Sequence, residues 1–245
     1  MKEVRFFYDP ELNGVLPKEE AAHAVRVLRQ KVGDEIFVMD GHGMFCRAEI
    51  TTADNHHCLY SIVEHMPQER TWMGKIHLAI APTKLNDRME WLAEKATEIG
   101  WDELSFLDTR FSERKVIKTD RIGRIVVSAV KQSHKAWMPA VNEMTPFRDF
   151  VKEQFDKSMA DTDTRYDLFI CHCYDEGEEK PFLMDVLEPG GNAVVMIGPE
   201  GDFSMDEVRF AEEHGFRAVS LGRSRLRTET AGLVAVHMMQ IRNRI

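Results

Sequence analysis

Apolar positions along this chain follow two different rhythms, and the change falls near residue 70. Before it, VRFFY is a short apolar run, and GDEIFVMDG, MFCRAEI and HHCLYSIVEH are strand-like runs at close spacing. The turn Asp40-Gly41-His42-Gly43 joins the first two of these as a hairpin. Between VRFFY and the hairpin, PKEEAAHAVRVLRQKVG reads as a helix opened by Pro17 and stopped by Gly33. Short strands at this spacing predict a small, mostly β unit over residues 1–70, closed as a barrel.

MPQERTWMG has no clear period and marks the boundary; residues 71–245 alternate strands with helices. KIHLAIAP, ELSFLDT, DLFICHC, NAVVMIG and AVSLG are the strands, the longer ones apolar almost throughout, as in a sheet covered on both faces. DRMEWLAEKATEIG places Met89, Leu92, Ala96 and Ile99 on one helical face and ends at Gly100. DRIGRIVVSAVKQSHKAW repeats Ile122, Ile125, Val126, Ala129 and Val130 at helical spacing. SMDEVRFAEEHG opens with Ser204-x-x-Glu207, a capping box, and stops at Gly215. TETAGLVAVHMMQIRNR is the last helix, with Thr228 placed to cap it. KEQFDKSMADTDTR, residues 152–165, reads as a polar loop or a frayed helix end. The alternation predicts a parallel α/β sheet, and ordinary connection rules predict an unknotted one.

Composition narrows the class. With 43% hydrophobic and 30% charged residues, the chain is neither disordered nor membrane-spanning, and MKEVRFFYDPEL lacks a secretory h-region. Cys46, Cys58, Cys171 and Cys173 form no dense disulfide framework, so a reducing cytoplasm is the expected compartment. The net charge of −9 opposes nucleic-acid binding by the surface as a whole, though not by a local basic patch.

Two strand-to-helix loops carry candidate chemistry, because ligands of α/β sheets bind at strand carboxyl ends. Ile197-Gly198-Pro199-Glu200-Gly201-Asp202-Phe203-Ser204 makes a glycine turn into a capped helix; its backbone could approach a ligand closely, or it could be an ordinary turn. Leu221-Gly222-Arg223-Ser224-Arg225-Leu226-Arg227-Thr228-Glu229-Thr230-Ala231 puts three arginines within five residues beside a helix N-terminus. A phosphate-rich partner accounts for that density; a solvated basic loop is the alternative.

Together these loops resemble the paired C-terminal motifs of the RsmE family, methyltransferases of the SPOUT class that act on small-subunit ribosomal RNA. KLNDRMEWLAEKATEIGWDEL, AVKQSHKAWMPAV and HAVRVLRQKVGDEIFVMDGHG resemble further family segments in the right order. The resemblance implies an N-terminal PUA-like β-barrel and a C-terminal α/β domain with a deep trefoil knot. It also implies a homodimer, S-adenosyl-L-methionine as cofactor, no metal, and methylation of a uridine at N3 in ribosomal RNA, within an assembled subunit. Four positions depart from the pattern: Asp202 replaces a second glycine, Arg223-Ser224-Arg225 replaces Pro-Arg-Ile, Lys131 replaces a glutamate and Lys135 an arginine.

Carried onto this chain, the cofactor pocket is Ile197, Gly198, Pro199, Glu200, Gly201, Leu221, Gly222, Leu226 and Ala231, with Thr83 at an earlier strand end. Arg227 and Arg225 are the candidates for stabilising charge on uracil, and Glu200 and Glu229 for assisting deprotonation, with a purely structural role as the alternative for either carboxylate. Lys84, Arg88, Lys135 and Arg223 are expected RNA contacts near that edge, and Arg5, Arg26, Arg29 and Lys31 in the N-terminal domain. Leu233, Val236, His237, Gln240 and Ile241 give the last helix a broad face for a second copy or for its own sheet. Cys171-His172-Cys173 reads as core strand rather than a metal site, His56-His57 as a turn, Met238-Met239 as packing, and Asp175–Glu179 as a solvated loop. The rival functions are a non-enzymatic RNA-binding assembly protein, favoured by Asp202, and a SPOUT methyltransferase acting on another RNA position. A small-molecule nucleotide-binding enzyme ranks last, since neither a Walker motif nor GxGxxG is present.

Overall fold

The alternation after residue 70 builds a six-stranded, all-parallel sheet. The computed structural model describes residues 5–54, 57–160, 166–174, 177 and 179–244. Two units divide it: one runs to Arg70 and also takes in Val127–Met138, and the other comprises Thr71–Val126 and the chain from Pro139 onward.

In the first unit, β1 (Phe6–Tyr8) pairs in parallel with β2 (Glu35–Met39), which continues antiparallel into β3 (Met44–Ala53) and β4 (Cys58–Pro67). The two edges of this sheet meet through the segment after β1. Val15 bridges Leu59, Leu16 N donates to Cys58 O at 3.0 Å, and Tyr60 N donates to Gly14 O at 2.9 Å. Two register shifts in β3, at Arg47/Ala48 and Ile50/Thr52, supply the extra coiling that such curling needs. Phe7, Ile36, Val38, Ala48 and Ile50 fill the interior.

The helix opened by Pro17 is shorter than its period suggests. α1 (Lys18–Ala22) runs into a π-helical turn, His23–Val27, and Arg29 adopts φ 55°, so the chain leaves the helix before Gly33. The hairpin forms as expected: Asp40 Oδ1 accepts from His42 N at 2.6 Å and Met44 N at 3.0 Å. A Cβ on Gly43 would lie 2.5 Å from the Trp137 ring, so only glycine fits there. At the β3–β4 turn, Asp54 N donates to His57 O at 2.9 Å; His56 lies outside the described residues.

In the second unit the strands are β5 (Ile76–Ile80), β6 (Glu103–Asp108), β7 (Ala140–Pro146), β8 (Tyr166–Cys171), β9 (Asn192–Ile197) and β10 (Arg217–Val219), in the spatial order β10-β8-β9-β5-β6-β7. The helices are α2 (Asn86–Ile99), α3 (Thr119–Gln132, shared with the first unit), α4 (Phe147–Ala160), α5 (Leu183–Val186), α6 (Met205–Glu213) and α7 (Thr228–Asn243). No described helix is long and apolar enough to cross a membrane.

Of the stretch 152–165, expected as a polar loop or a frayed helix end, residues 152–160 are the C-terminal part of helix α4; residues 161–165 lie outside the described residues. Its inward face, Phe147, Phe150, Val151 and Gln154, begins before the polar run and holds the helix on the sheet. β7 and α5 carry no strong period of their own. Thr228 occupies the first position of α7 rather than capping it: Arg227 is the N-cap, without a side-chain bond, and Thr228 is buried. The Ser204–Glu207 capping box is complete in both directions.

A polar strip runs across the three strands on the β7 side of this sheet. His77 on β5 bonds Ser105 Oγ at 2.8 Å, and Asn142 on β7 donates to the same oxygen at 2.9 Å. Burial pushes the His77 imidazole down to about 4, so it is neutral in the folded chain. Below its ordinary value near 6.5 the unfolded chain takes up a proton that the folded chain refuses until about pH 4. Stability from this group is therefore complete above pH 6.5 and declines as the pH falls toward 4. Urea denaturation at several pH values across that window should show a shallower loss in His77→Gln than in the wild type; parallel slopes would remove His77 as the cause.

Candidate active site

The carboxyl ends of β8, β9 and β10 bound a cavity of about 820 Å³. That lies within the range of small-ligand sites, roughly 300–1,000 Å³. Its wall consists of residues 171–174, 197–200, 202 and 219–228, with Arg88, Glu179, Lys180 and Ala231. Five of these side chains are Lys or Arg and three are Asp or Glu, a local excess of positive charge on a chain of net −9.

The first glycine loop turns where β9 ends. Asp202 N donates to Pro199 O at 2.9 Å, closing the turn. A Cβ on Gly198 would stand 3.0 Å from Phe203 N and 3.1 Å from Asp202 C, so the close approach of two backbone stretches selects glycine here. Asp202 itself sits at φ 67°, left-handed backbone that glycine adopts freely and aspartate tolerates better than most residues. Its carboxylate uses that position: Oδ1 accepts from Phe203 N and Oδ2 from Cys173 N, both at 2.8 Å. Tyr174 Oη donates to Phe203 O at 2.6 Å, and Lys180 Nζ donates to Tyr174 O. The segment after β8 is thereby laced to the turn after β9.

The second loop leaves β10 at Val219. Ser220 Oγ accepts from Gly222 N at 3.1 Å, and Ala231 N donates to Arg227 O at 2.8 Å as α7 begins. Arg223, Arg225 and Arg227 are all exposed and all line the cavity. Leu226 and Ala231 add apolar surface to the same wall.

Other expected site residues stand behind the wall or brace it. Thr83 is fully buried, and its hydroxyl donates to Leu85 O at 2.9 Å. Gly201 packs against Phe111, 3.2 Å from where its Cβ would be. Glu200 lines the cavity while its Oε1 accepts from Lys84 N at 3.0 Å, tying the β5–α2 segment to the glycine turn. Arg114 donates to Thr83 O and Lys84 O, fastening that segment from the other side. Glu229 is buried and reaches the cavity only through Arg88, 3.5 Å away. Its Oε2 is buried with no hydrogen-bond partner among the described residues. Lys84 is exposed and pairs with Glu113 at 2.9 Å.

Arg26, Arg29 and Lys31 are exposed in the first unit and Arg5 half-buried; Lys135, also half-buried, falls in that unit too. Arg26 lies in the last turn before the helix end, where a cation also suits the helix dipole.

Sequence reading missed Cys173, Tyr174, Lys180 and Asp202 as cavity wall. Cys171 ends β8 as expected, but Cys173 lies beyond the strand and is exposed, which corrects its assignment to the core. Partial loss of hydration, then the nearby Asp202 carboxylate, raise the thiol of the exposed Cys173 against the opposing pull of Arg225; burial raises Cys171. Both thiols are therefore protonated at neutral pH and poor nucleophiles. The available signal was the carboxyl end of an apolar strand; what the sequence lacks is the adjacency of β8 and β9. Of the Asp175–Glu179 tract, Asp175, Glu176 and Glu178 lie outside the described residues.

Comparison with known proteins adds an independent line. A family described as RNA methyltransferase domain matches residues 70–240, and one described as RNA methyltransferase PUA domain matches residues 16–63. The ribosomal RNA small subunit methyltransferase E of Bacillus subtilis is 28% identical, over 89% of this chain and 86% of that protein. The crystal structure of a probable rRNA-methyltransferase from Porphyromonas gingivalis is 41% identical with a TM-score of 0.85, covering 97% of this chain and 99% of that one. A ribosomal RNA small subunit methyltransferase E from Neisseria gonorrhoeae bound to S-adenosyl methionine is 28% identical with a TM-score of 0.83, covering 98% of each chain.

The geometry at position 202 sets an order of stabilities. Asp202→Gly loses two acceptors but keeps the backbone, whereas Asp202→Ala loses the same acceptors and also places a Cβ at φ 67°. Alanine should be the less stable by about 1–2 kcal/mol in urea denaturation. Equal stabilities would mean that the turn relaxes away from this φ.

Proposed function

Because the chain belongs to the RsmE family of ribosomal RNA small subunit methyltransferases, with a PUA domain ahead of its methyltransferase domain, we propose that it methylates N3 of a uridine in small-subunit ribosomal RNA. The methyl donor is S-adenosyl-L-methionine, and the observation that carries the reading is the cavity between the glycine turn and the three-arginine loop. Its volume and backbone-rich wall suit a nucleoside donor.

When bound, the donor supplies a methyl group already activated by its sulfonium, so the chain's task is orientation and electrostatics. Gly198 and Gly222 would leave backbone groups within reach of the donor, and Ile197, Leu226 and Ala231 would pack its apolar parts. Arg227 and Arg225, exposed on the cavity wall, would favour the anion that forms as uracil N3 loses its proton. Glu200 and Glu229 act as positioning residues, the first by holding Lys84 N and the second by holding Arg88. Arg223, Arg88 and Lys84 offer charge to the RNA near this edge; Arg5, Arg26, Arg29, Lys31 and Lys135 offer it from the first unit. Asp202 adopts the backbone its turn needs and adds two hydrogen bonds, so it lends no weight to a non-catalytic RNA binder.

Three finer features belong to the same proposal. The first is a C-terminus threaded as a trefoil knot, a reading supported by α7 packing on α2 and β5 although the strand before it, β10, is at the edge of the sheet. A homodimer uses the side of α7 that its own sheet leaves uncovered, where His237 and Ile241 are exposed while Gly232, Ala235, Val236 and Met239 are buried. The enzyme works in the cytoplasm on ribosomal RNA within an assembled subunit.

Nucleoside mass spectrometry of small-subunit RNA from a deletion strain should show loss of one N3-methyluridine; loss of a different modified nucleoside would move the reaction to another RNA position. Gly198→Val should abolish donor binding by calorimetry, since its side chain meets Phe203 N. In single-turnover methylation at saturating RNA and donor, Arg227→Ala should lose about 2–4 kcal/mol of transition-state stabilisation with donor affinity little changed. A wild-type saturated rate would leave Arg227 a binding residue only.

A further inference from the structure

Beside the main cavity lies a second depression of about 400 Å³ that shares Glu179, Lys180, Ser220, Gly222 and Arg223 with it. Its distinctive element is Phe182, an aromatic ring 37% exposed on the wall of this depression. The backbone beneath that ring is not loose. Phe182 bridges Ser220 in parallel, Leu183 N donates to Ser220 O at 2.9 Å, and Ser220 N donates to Pro181 O at 2.9 Å. These bonds extend the sheet one residue past β10, and Leu183, fully buried, anchors α5 directly behind. Phe182 is thus presented from a fixed backbone.

The charges around it are mixed. Arg223 stands on the rims of both cavities; Lys180 also lines both, with one of its three donors engaged by Tyr174 O. Asp185 and Glu179 line the same depression. An apolar ring flanked by cations and carboxylates suits a ligand with a flat face, a phosphate, and N–H or hydroxyl donors. An unpaired nucleotide has all of these, and aromatic stacking is the sequence-tolerant way of holding one.

We propose that this depression is a nucleotide subsite for the substrate RNA: the base adjoining the methylated one stacks on Phe182, and Arg223 contacts the phosphate between them. The inference rests on the proposed function and deepens it, by giving the exposed uridine a second held nucleotide beside it. The shared rim puts the two positions next to each other, as consecutive nucleotides require.

The test compares Phe182→Leu, which keeps apolar contact but removes the flat face, with Phe182→Trp, which keeps the face. Steady-state methylation of assembled small subunits should show KM for RNA raised about tenfold in the leucine variant, from the loss of one base stack. Its kcat should stay within about twofold, its donor affinity by calorimetry should be unchanged, and the tryptophan variant should match the wild type. Wild-type KM in Phe182→Leu would overturn the subsite, as would a change in oligomeric mass by light scattering, which would make the ring a protein contact. If the wild type itself failed to methylate subunits, the proposed function would fall. Filter binding of a single-stranded RNA oligonucleotide would then decide the subsite alone, with equal affinities for wild type and Phe182→Leu overturning it.

Discussion

Six strands running the same way deliver all their carboxyl ends to one edge, and that constraint organises the rest of the second unit. Each parallel strand must be followed by a return crossing, so every carboxyl end becomes a loop. β8, β9 and β10 do not follow one another in space as in sequence: β8 lies between the other two. Their loops therefore converge from three separate stretches of chain. The cavity lies where they meet, and its shape depends on hydrogen bonds that join loop to loop. Asp202 to Cys173 N, Tyr174 to Phe203 O, and Glu200 to Lys84 N are such bonds. None lies within a helix or strand.

The cavity divides its labour between backbone and side chain. Around the glycine turn the approach is so close that a Cβ at Gly198 would meet backbone, and the side chains of Asp202, Glu200 and Tyr174 are occupied with backbone groups. Across from it, Arg223, Arg225 and Arg227 project from a loop and are exposed. A rigid, backbone-lined wall suits a ligand of constant shape; long, mobile cations suit a polyanion whose phosphates tolerate some play. The chain's acidity does not oppose this, because the cations are gathered on one wall. Carboxylates elsewhere repel RNA from surfaces where it has no business, which sharpens rather than weakens local recognition.

Much of this was legible from residue order, wherever a local interaction decides the local structure. The capping box at Ser204, the hairpin at Asp40 and the apolar runs of β5, β8 and β9 depend on neighbours a few residues away, and the structure contains them as read. The paired loops were visible too, since glycine and arginine density needs no tertiary context. Illegible features had partners far along the chain. Arg29 ends its helix ahead of Gly33, through a left-handed backbone that no short-range rule assigns to arginine. Val127–Met138 joins the first unit through Lys131–Glu20, Trp137 opposite His42 and His134 stacked on Phe6, pairings separated by about a hundred residues. Cys173 and Tyr174 became cavity wall only because β8 adjoins β9, a spatial order absent from any window of sequence.

Asp202 combines a local backbone constraint with a distant partner. Read from sequence it is a loss, a glycine replaced where glycine's freedom is expected. In the structure the φ of 67° persists, so the constraint on the turn is unchanged and only the means of meeting it differs. Glycine would adopt that backbone without strain but could offer nothing to Cys173 N; aspartate accepts some strain and contributes a carboxylate that bonds two backbone donors. An N–H aimed at a carboxylate is a stronger tie than one left to solvent. Aspartate also lowers the entropy of the unfolded turn relative to glycine. The substitution thus trades conformational freedom for a direct link between the β8 and β9 loops, and it does so at the cavity wall, where the separation of those two loops sets the width of the site.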